Sequence, residues 1–383
     1  MLHERKLPQS EAEDLAIIYA VKLRLLGWLL KTPPAGQVTK DELIDLMGEP
    51  IGLWFWTRIR KPETRTAFGN AVDALGVMAR ADLATAVLVA DAIEHDATFD
   101  NQWSVAGYEL RFPRLYPAWL DAVKLVAEPF YDLWLSGSGF AKAEFGLQGE
   151  DMTRDRIMKA FRPPSFRICG YCDGPLGDVG TTVEANDCDH FFPKSKWPHL
   201  AIHPVNLFAA CKGCNECWKL DKTPMGEADV LGLSETYHPQ LRPGVAFITV
   251  NAIQSLATPR NVRLLISDAH VRKRARTLNT ALDLEARWTN SVNEQIDGRG
   301  VSVFVAKSVR DSRRNQTLSQ ADLLEIIDSD IDWHRQERGK LERSFQLEAA
   351  LRYQKTNHLA DILAELSLAS LNFPDFNTAK RGL

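Results

Sequence analysis

The sequence has no cysteine outside one short segment, and neither sign of charge greatly exceeds the other. Only 6 cysteines occur in 383 residues, and all of them lie between Cys169 and Cys217. Cysteines confined to one cluster do not form a framework of disulfides, so we expect a reducing compartment. The formal net charge is -4, which excludes a broadly basic nucleic-acid coat and leaves local patches as the means of binding DNA.

Long apolar runs are also missing. The longest run, around residues 83–92, is too short and too interrupted to span a bilayer. The N-terminal stretch MLHERKLPQSEAEDL has no apolar core of the kind that a signal peptide requires. We therefore expect a cytoplasmic protein with no membrane partner, and a chain long enough for two or three domains.

Two CxxC pairs are the strongest pattern that is present. Cys169 with Cys172 and Cys211 with Cys214 offer four thiolates, the ligand set of a structural Zn²⁺ site. A zinc ribbon separates its pairs by about 15–20 residues, and the interval here is roughly twice as long, so other elements must lie between the pairs. Cys217 repeats the spacing of the second pair, which leaves a ligand swap open.

The interval between the pairs carries residues suited to phosphodiester hydrolysis. That reaction needs a base for the attacking water and a cation for the charge that develops on the phosphate. His190 suits the first task because imidazole titrates near neutral pH. Asp189 and Asn215 offer hard oxygen ligands for Mg²⁺ or Mn²⁺. Asn215 is also a favourable helix cap, which is the simpler interpretation of that residue.

The order Asp189-His190, Asn206, then Cys211-x-x-Cys214-Asn215 resembles the HNH endonuclease family, in the subtype whose ββα-metal core is bracketed by two CxxC pairs. The resemblance covers about one sixth of the chain. It implies DNA hydrolysis by a one-metal mechanism, by nicking or double-strand cutting, with 5′-phosphate products. His190 is then the general base, oriented by a backbone carbonyl.

The same resemblance implies roles for the remaining motif residues. Asp189 and Asn215 hold the metal, and Asn206 orders the loop. The last motif position is Asn rather than His, a common substitute in the family that changes metal preference more than activity.

The fuller pattern DHFFPKS…NL…CN…KTP is also similar to stand-alone HNH proteins of bacterial anti-phage systems, such as the nuclease subunit of Septu, which works beside an ATPase. This likeness implies a defence effector with a protein partner, either an ATPase subunit or a second protomer. Two other functions stay open at this point: a non-catalytic zinc knuckle that binds nucleic acid or protein, and a nuclease directed at RNA.

Lysine and arginine side chains suggest where nucleic acid would bind. Lys194, Lys219 and Lys222 accompany the motif. A later helix carries an apolar stripe that includes Ala275 and Leu282, so its basic residues should project outward. These basic residues are Arg272, Lys273, Arg274 and Arg276. An ordinary solvated face is the competing interpretation. We expect His199 and His203, in a proline-containing loop, to lie at the surface.

The predicted fold class is α+β and mostly helical, with the ββα-metal module between helical flanks. The predicted regions are a helical part at 1–152, the zinc-bound nuclease module at 153–228, and a mostly helical part with a minor sheet at 229–383. Hydrophobic periodicity and capping signals predict these elements. The predicted helices are 9–31, a short helix after Thr39, 65–96 with a break near Arg80 to Asp82, 117–135, 153–161, one capped by Asp268, and two within 319–369; the predicted strands are 246–252 and 262–266.

Overall fold

The computed structural model of the chain describes residues 3–61, 64–161, 168–176, 186–223, 225, 232–254, 262–268, 272–297, 319–338, 340–341, 343–357 and 359–360. Two compact units divide the chain. The first comprises Met1–Tyr171, Pro175–Gly244 and Thr280–Leu282; the second comprises Cys172–Gly174, Val245–Asn279 and Asp283–Leu383. The division into three regions by chemistry stays a prediction.

Most elements are helices. In the first unit they are α1 (Gln9–Lys31), α2 (Lys40–Met47), α3 (Glu49–Ile59), α4 (Ala67–Ala81), α5 (Leu83–Asp96), α6 (Phe99–Gln102), α7 (Leu120–Ala127), α8 (Lys142–Phe145) and α9 (Arg154–Ala160), with a π-helix at Phe130–Ser138. The predominantly helical prediction is thus confirmed, together with small antiparallel sheets.

Local capping signals place several helix ends where the sequence predicts them. Thr39 and Glu42 form a capping box at the start of α2, and Thr153 caps α9 by accepting from the Arg156 backbone N–H. Asp82 separates α4 from α5, because its carboxylate accepts from the Thr85 N–H while its own N–H ends α4. The break predicted near this residue is confirmed.

The short helix predicted after Thr39 ends at Met47 with Gly48 as its C-cap, and Pro50 lies in the first turn of α3, where proline is well tolerated. Two predicted boundaries are wrong. The helix predicted at 117–135 is interrupted before Pro129, which lacks the N–H that an α-helix interior needs. Asp268 is the last residue of a strand rather than a helix cap.

Apolar and aromatic side chains form the core of the first unit. α1 packs against α4 and α5, with Leu15, Ile18 and Leu25 fully buried. Aromatic rings fill the space beside α3: Trp54 lies 4.8 Å from Trp134 and 5.5 Å from Phe140, measured between ring centroids. These contacts hold the helices of the first unit together.

A two-stranded antiparallel sheet carries the motif. Strand β1 (Asn186–His190) pairs with β2 (Leu207–Cys211), so that Asp189 lies opposite Phe208 and His190 opposite Leu207. Strand β2 is almost entirely buried, which suits its run of apolar residues. A π-helix, Gly213–Lys219, follows β2.

The second unit contains a second small sheet. Strands β3 (Ile248–Gln254) and β4 (Val262–Asp268) are antiparallel, as predicted. Helix α11 (Leu284–Asp297) covers β4, because Glu285, Thr289 and Asn293 accept hydrogen bonds from alternate backbone N–H groups of that strand. The remaining helices described in this unit are α12 (Gln320–Gln336), α13 (Ser344–Asn357) and α10 (Arg272–Leu282), of which the last three residues belong to the first unit.

Among the described residues, no helix combines the length and the apolar character that crossing a membrane demands.

Candidate active site and cysteine cluster

The two CxxC pairs form one cluster. The sulfurs of Cys169, Cys172, Cys211 and Cys214 all lie within 4.8 Å of one another, and three of these residues are buried. Sulfurs bound to a tetrahedral Zn²⁺ are about 3.8 Å apart, so the donor set fits zinc in kind, number and approximate spacing. Cys217 is exposed and is not part of the cluster.

Backbone groups support the cluster sulfur of Cys169. The N–H groups of Tyr171 and Cys211 point to this sulfur at 3.4 Å and 3.3 Å. Hydrogen bonds of this kind stabilise thiolate ligands and orient them. The Arg5 guanidinium donates to the Ile168 carbonyl, and the His3 N–H donates to the Gly170 carbonyl at 3.2 Å. The segment before α1 therefore braces the first cysteine pair.

A cleft of about 370 Å³ opens at the end of β1. It collects Asp189, His190 and Asn215 with Lys194 and Lys219, residues that the sequence had singled out. The other lining residues are Tyr131, Arg154, Cys188, Pro193, Ser195, Glu216, Leu220 and Asp221. Catalytic candidates and charged groups of both signs thus share one concave surface.

His190 is buried at the base of this cleft. Its Nε2 has no hydrogen-bond partner among the described residues, while the imidazole is hydrogen-bonded to the backbone of Ala201. The Tyr131 ring packs edge-on to the imidazole at 4.3 Å, and the Tyr131 hydroxyl donates to the Cys188 carbonyl at 3.0 Å. One nitrogen is therefore held by the protein, and the other is buried and has no partner among the described residues.

Electrostatics keep this imidazole neutral. Burial lowers the pKa of His190 well below its usual value, and the ammonium groups of Lys219 and Lys194 lower it further. The hydrogen bond with Ala201 opposes these effects only in part. The neutral ring has a lone pair that can accept a proton, but its lowered pKa makes it a weaker base than a free imidazole.

Asp189 lies beside His190 but has its own partners. One carboxylate oxygen accepts from the Tyr171 hydroxyl, and the other accepts from the His190 N–H at 2.7 Å. The Lys219 ammonium lies 3.2 Å and 3.3 Å from the two oxygens. Burial raises the pKa of Asp189, while the Lys219 charge and the hydrogen bonds oppose that rise.

Lys219 owes its position to the end of the π-helix. Its side chain is fully buried, and the next residue, Leu220, has a φ of +50°. A left-handed conformation is unfavourable for leucine and is often found at functional sites. The Leu220 N–H donates to the Asn215 carbonyl at 3.0 Å, which closes the π-turn that carries both Asn215 and Lys219.

Asn206 lies outside the cleft, beneath the loop that connects β1 to β2. Its amide oxygen accepts from the Phe192 N–H at 2.7 Å, and its amide nitrogen donates to the carbonyls of Phe192 and Leu200 at 3.2 Å and 2.9 Å. The side chain is fully buried. These bonds join the two ends of the loop, which is a geometry suited to ordering it.

The predicted nucleic-acid contacts differ in position. Lys194 is half-buried and pairs with Asp132, Lys219 is buried against Asp189, and Lys222 is exposed outside the cleft lining. On α10, Ala275, Leu278 and Leu282 are buried as predicted. Lys273 and Arg276 are exposed and Arg274 is half-buried, whereas the Arg272 side chain lies outside the described residues.

Two loop histidines contradict the prediction of surface positions. His199 is fully buried, with its Nε2 3.2 Å from a carboxylate oxygen of Asp96. His203 is buried as well, and its ring packs against Tyr19 and Phe99 at centroid distances of 4.8 Å and 4.6 Å. The proline-containing loop is covered by α1 and its neighbours, a long-range arrangement that no local pattern reveals.

Tyr171, Tyr131 and Arg154 were not predicted as parts of the site. Tyr171 lies between the cysteines of the first pair, so the sequence predicts that it is close to the cluster. Its contact with Asp189 cannot be predicted from the sequence pattern. Arg154 begins α9 and lines the cleft, whereas in the sequence alone a basic residue on a short helix favours a solvated face.

Comparison with known proteins adds no family assignment: no family model, curated protein or solved structure matches this chain. The class that the fold and site define is therefore a mostly helical protein with small antiparallel sheets and a four-cysteine cluster that could hold a metal ion.

Proposed function

We propose that this chain is an HNH-type nuclease that hydrolyses phosphodiester bonds in DNA, with His190 as the general base. The observation that carries the proposal is the imidazole at the cleft base, with Nε2 unpartnered among the described residues and the ring hydrogen-bonded to the Ala201 backbone. A base must present one free nitrogen in a fixed direction. The sequence resemblance of Asp189-His190, Asn206 and Asn215 to the HNH motif supports the same conclusion.

The cleft supplies other groups that this reaction requires. Lys194 and Arg154 line it and can attract a phosphate. Asp189 and Asn215 contribute carboxylate and amide oxygens to the same surface, a donor chemistry that suits Mg²⁺ or Mn²⁺. When bound there, a divalent cation neutralises charge on the phosphate and the leaving oxygen. His190 takes the proton of the attacking water, and Asn206 keeps the loop above it in place.

The cysteine cluster has a structural task in this proposal. The segment that carries the motif buries large apolar side chains, among them Phe191, Phe192 and Phe208. A structural zinc site can contribute about 10–16 kcal/mol more to folding, which is the apparent binding free energy of zinc-finger peptides. The cluster lies at both ends of the motif in the sequence, so Zn²⁺ bound there would hold the segments that carry Asp189 and Lys219.

The anti-phage role and the ATPase or second-protomer partner stay predictions from sequence resemblance. They follow from the proposed nuclease only if cleavage needs a second component. RNA remains the alternative substrate, since the cleft has features for phosphate and none that distinguish a 2′-hydroxyl.

The first test is cleavage of supercoiled and linear plasmid by the purified chain with Mg²⁺ or Mn²⁺, with and without EDTA. We expect cutting that depends on the cation and that falls at least about 100-fold in His190→Ala, because general base catalysis contributes roughly 10²–10⁴-fold. Metal analysis should show the same zinc content in the variant. His95→Ala, which removes a histidine outside the cleft, serves as the matched control.

Equal cutting by His190→Ala would exclude His190 as the base. If neither protein cuts DNA, the same pair should be tested on RNA and then with candidate partner proteins. Binding that requires the cysteines but is indifferent to Asp189, His190 and Asn215 would identify a zinc-knuckle binding module instead of an enzyme.

A further inference from the structure

The Lys219 ammonium occupies the position at which a cation would approach Asp189. It lies 3.2 Å and 3.3 Å from the two carboxylate oxygens, and its side chain is fully buried. Tyr171 and the His190 N–H bind the same two oxygens. Both oxygens of the best candidate metal ligand are therefore already engaged by donors of this chain.

Their positive charges prevent the Lys219 ammonium and a divalent cation from binding Asp189 at the same time. Asp189 supplies one negative charge, and the Lys219 ammonium neutralises it within a buried site where electrostatic interactions are strong. A divalent ion placed on the same carboxylate would meet an ammonium a few ångströms away. Asn215, the other candidate ligand, is neutral and cannot offset this repulsion.

We propose that Lys219 competes with the divalent cation for Asp189, so that the metal binds only when the ammonium leaves the carboxylate. The inference rests on the metal-holding role given to Asp189 in the proposed function. Lys219 is buried against Asp189 but borders the cleft, together with Lys194 and Ser195. An ammonium that leaves Asp189 would therefore enter the cleft, where it could pair with a bound phosphate. Metal binding and phosphate binding would then support each other.

The test measures metal binding without any cleavage. Mn²⁺ is titrated into the zinc-loaded full chain, and the free ion is followed by electron paramagnetic resonance. Lys219→Met should raise the affinity for Mn²⁺ at least about tenfold, because it removes a charged hydrogen bond from the carboxylate. Lys219→Arg keeps the positive charge and should bind Mn²⁺ no more tightly than the unaltered chain.

A nearby lysine provides the matched control. Lys222 is exposed and does not line the cleft, so Lys222→Met removes the same charge without touching Asp189. We expect less than a twofold change in Mn²⁺ affinity for this variant. Asp189→Asn should abolish the binding that Lys219→Met strengthens, which assigns the ion to this carboxylate.

The outcomes separate the inference from the proposed function. Mn²⁺ binding that depends on Asp189 but is unchanged in Lys219→Met would overturn the competition and leave the nuclease proposal standing. Binding that is insensitive to Asp189→Asn would overturn the metal site itself. Lys219→Met leaves a buried carboxylate without its cation; if that variant does not fold, judged by zinc content and circular dichroism, Lys219→Gln provides the same test while keeping a hydrogen-bond donor.

Discussion

Several histidines of the first unit are buried. Burial lowers the pKa of His190, His199, His203 and His238. For His203 the value falls to about 3. The structure explains why the neutral form is required there: Nδ1 accepts from the Val205 N–H at 3.1 Å, and Nε2 lies 3.3 Å from the Ala97 carbonyl. Protonation would remove the acceptor at Nδ1.

The lowered pKa of His203 predicts that the folded protein loses stability in acid. Below about pH 6.5 the unfolded chain binds a proton at His203 and the folded chain does not, until the pH falls to about 3. The free energy of unfolding should therefore fall with pH across that window, by about 1.4 kcal/mol per pH unit for each such histidine. His203→Asn keeps an acceptor for Val205 and should reduce this slope, measured by urea unfolding between pH 4 and 8.

The control for this slope is Phe99→Leu, which disturbs the same ring packing without changing a titratable group. It should lower the free energy of unfolding about equally at every pH. An unchanged slope in His203→Asn would show that His203 does not contribute to acid unfolding.

At the scale of elements, we expect the segment from Cys169 to Lys219 to depend on a metal ion bound by its four cysteines as well as on its apolar core. Strands β1 and β2 are short, and a two-stranded sheet alone has marginal stability. The cluster joins the end of β2 to the segment before β1. Loss of one ligand should therefore affect folding before it affects chemistry.

We expect Cys211→Ser to lose the bound zinc and Cys217→Ser to keep it. Cys211 belongs to the cluster, whereas Cys217 is exposed and lies outside it. The two variants therefore make the same chemical change, but only Cys211→Ser should lose zinc. Zinc content by plasma mass spectrometry should fall from about one ion per chain to nearly none in Cys211→Ser. Loss of zinc in Cys217→Ser would instead support the ligand swap.

Features that depend on residues close together in the sequence could be predicted from it. Features that depend on contacts between distant segments could not. Helix α1, the capping box at Thr39 and the break at Asp82 depend on residues within a few positions of each other. The four cysteines could be grouped because their ligand chemistry is specific. The buried loop histidines and the contact of Tyr171 with Asp189 depend on packing between segments far apart in the chain, which periodicity does not encode.

Across the whole molecule, negative charge slightly exceeds positive charge, so DNA binding by the proposed nuclease would depend on few contacts. The formal net charge is -4, and the cations that line the cleft are Arg154, Lys194 and Lys219. Each neutralised phosphate contributes a slope of about −0.9 to a plot of log affinity against log salt concentration. Contacts restricted to the cleft therefore predict a shallow salt dependence.

We expect a slope between about −1 and −3 for DNA binding by His190→Ala, measured by fluorescence anisotropy over a series of salt concentrations. Lys194→Met should make the slope shallower by about one. A slope of about −6 or steeper would contradict binding through the cleft alone and would direct attention to the exposed Lys273 and Arg276 of α10.

Tyr171 connects the two parts of the site through one residue: its N–H points to the Cys169 sulfur, and its hydroxyl binds Asp189. Because Tyr171 makes both contacts, loss of zinc from the cysteine cluster would also displace the carboxylate that the proposed nuclease needs. In a cell that is short of zinc, newly made chains would stay unfolded in this segment and inactive. The supply of a trace nutrient would decide how many of them can act.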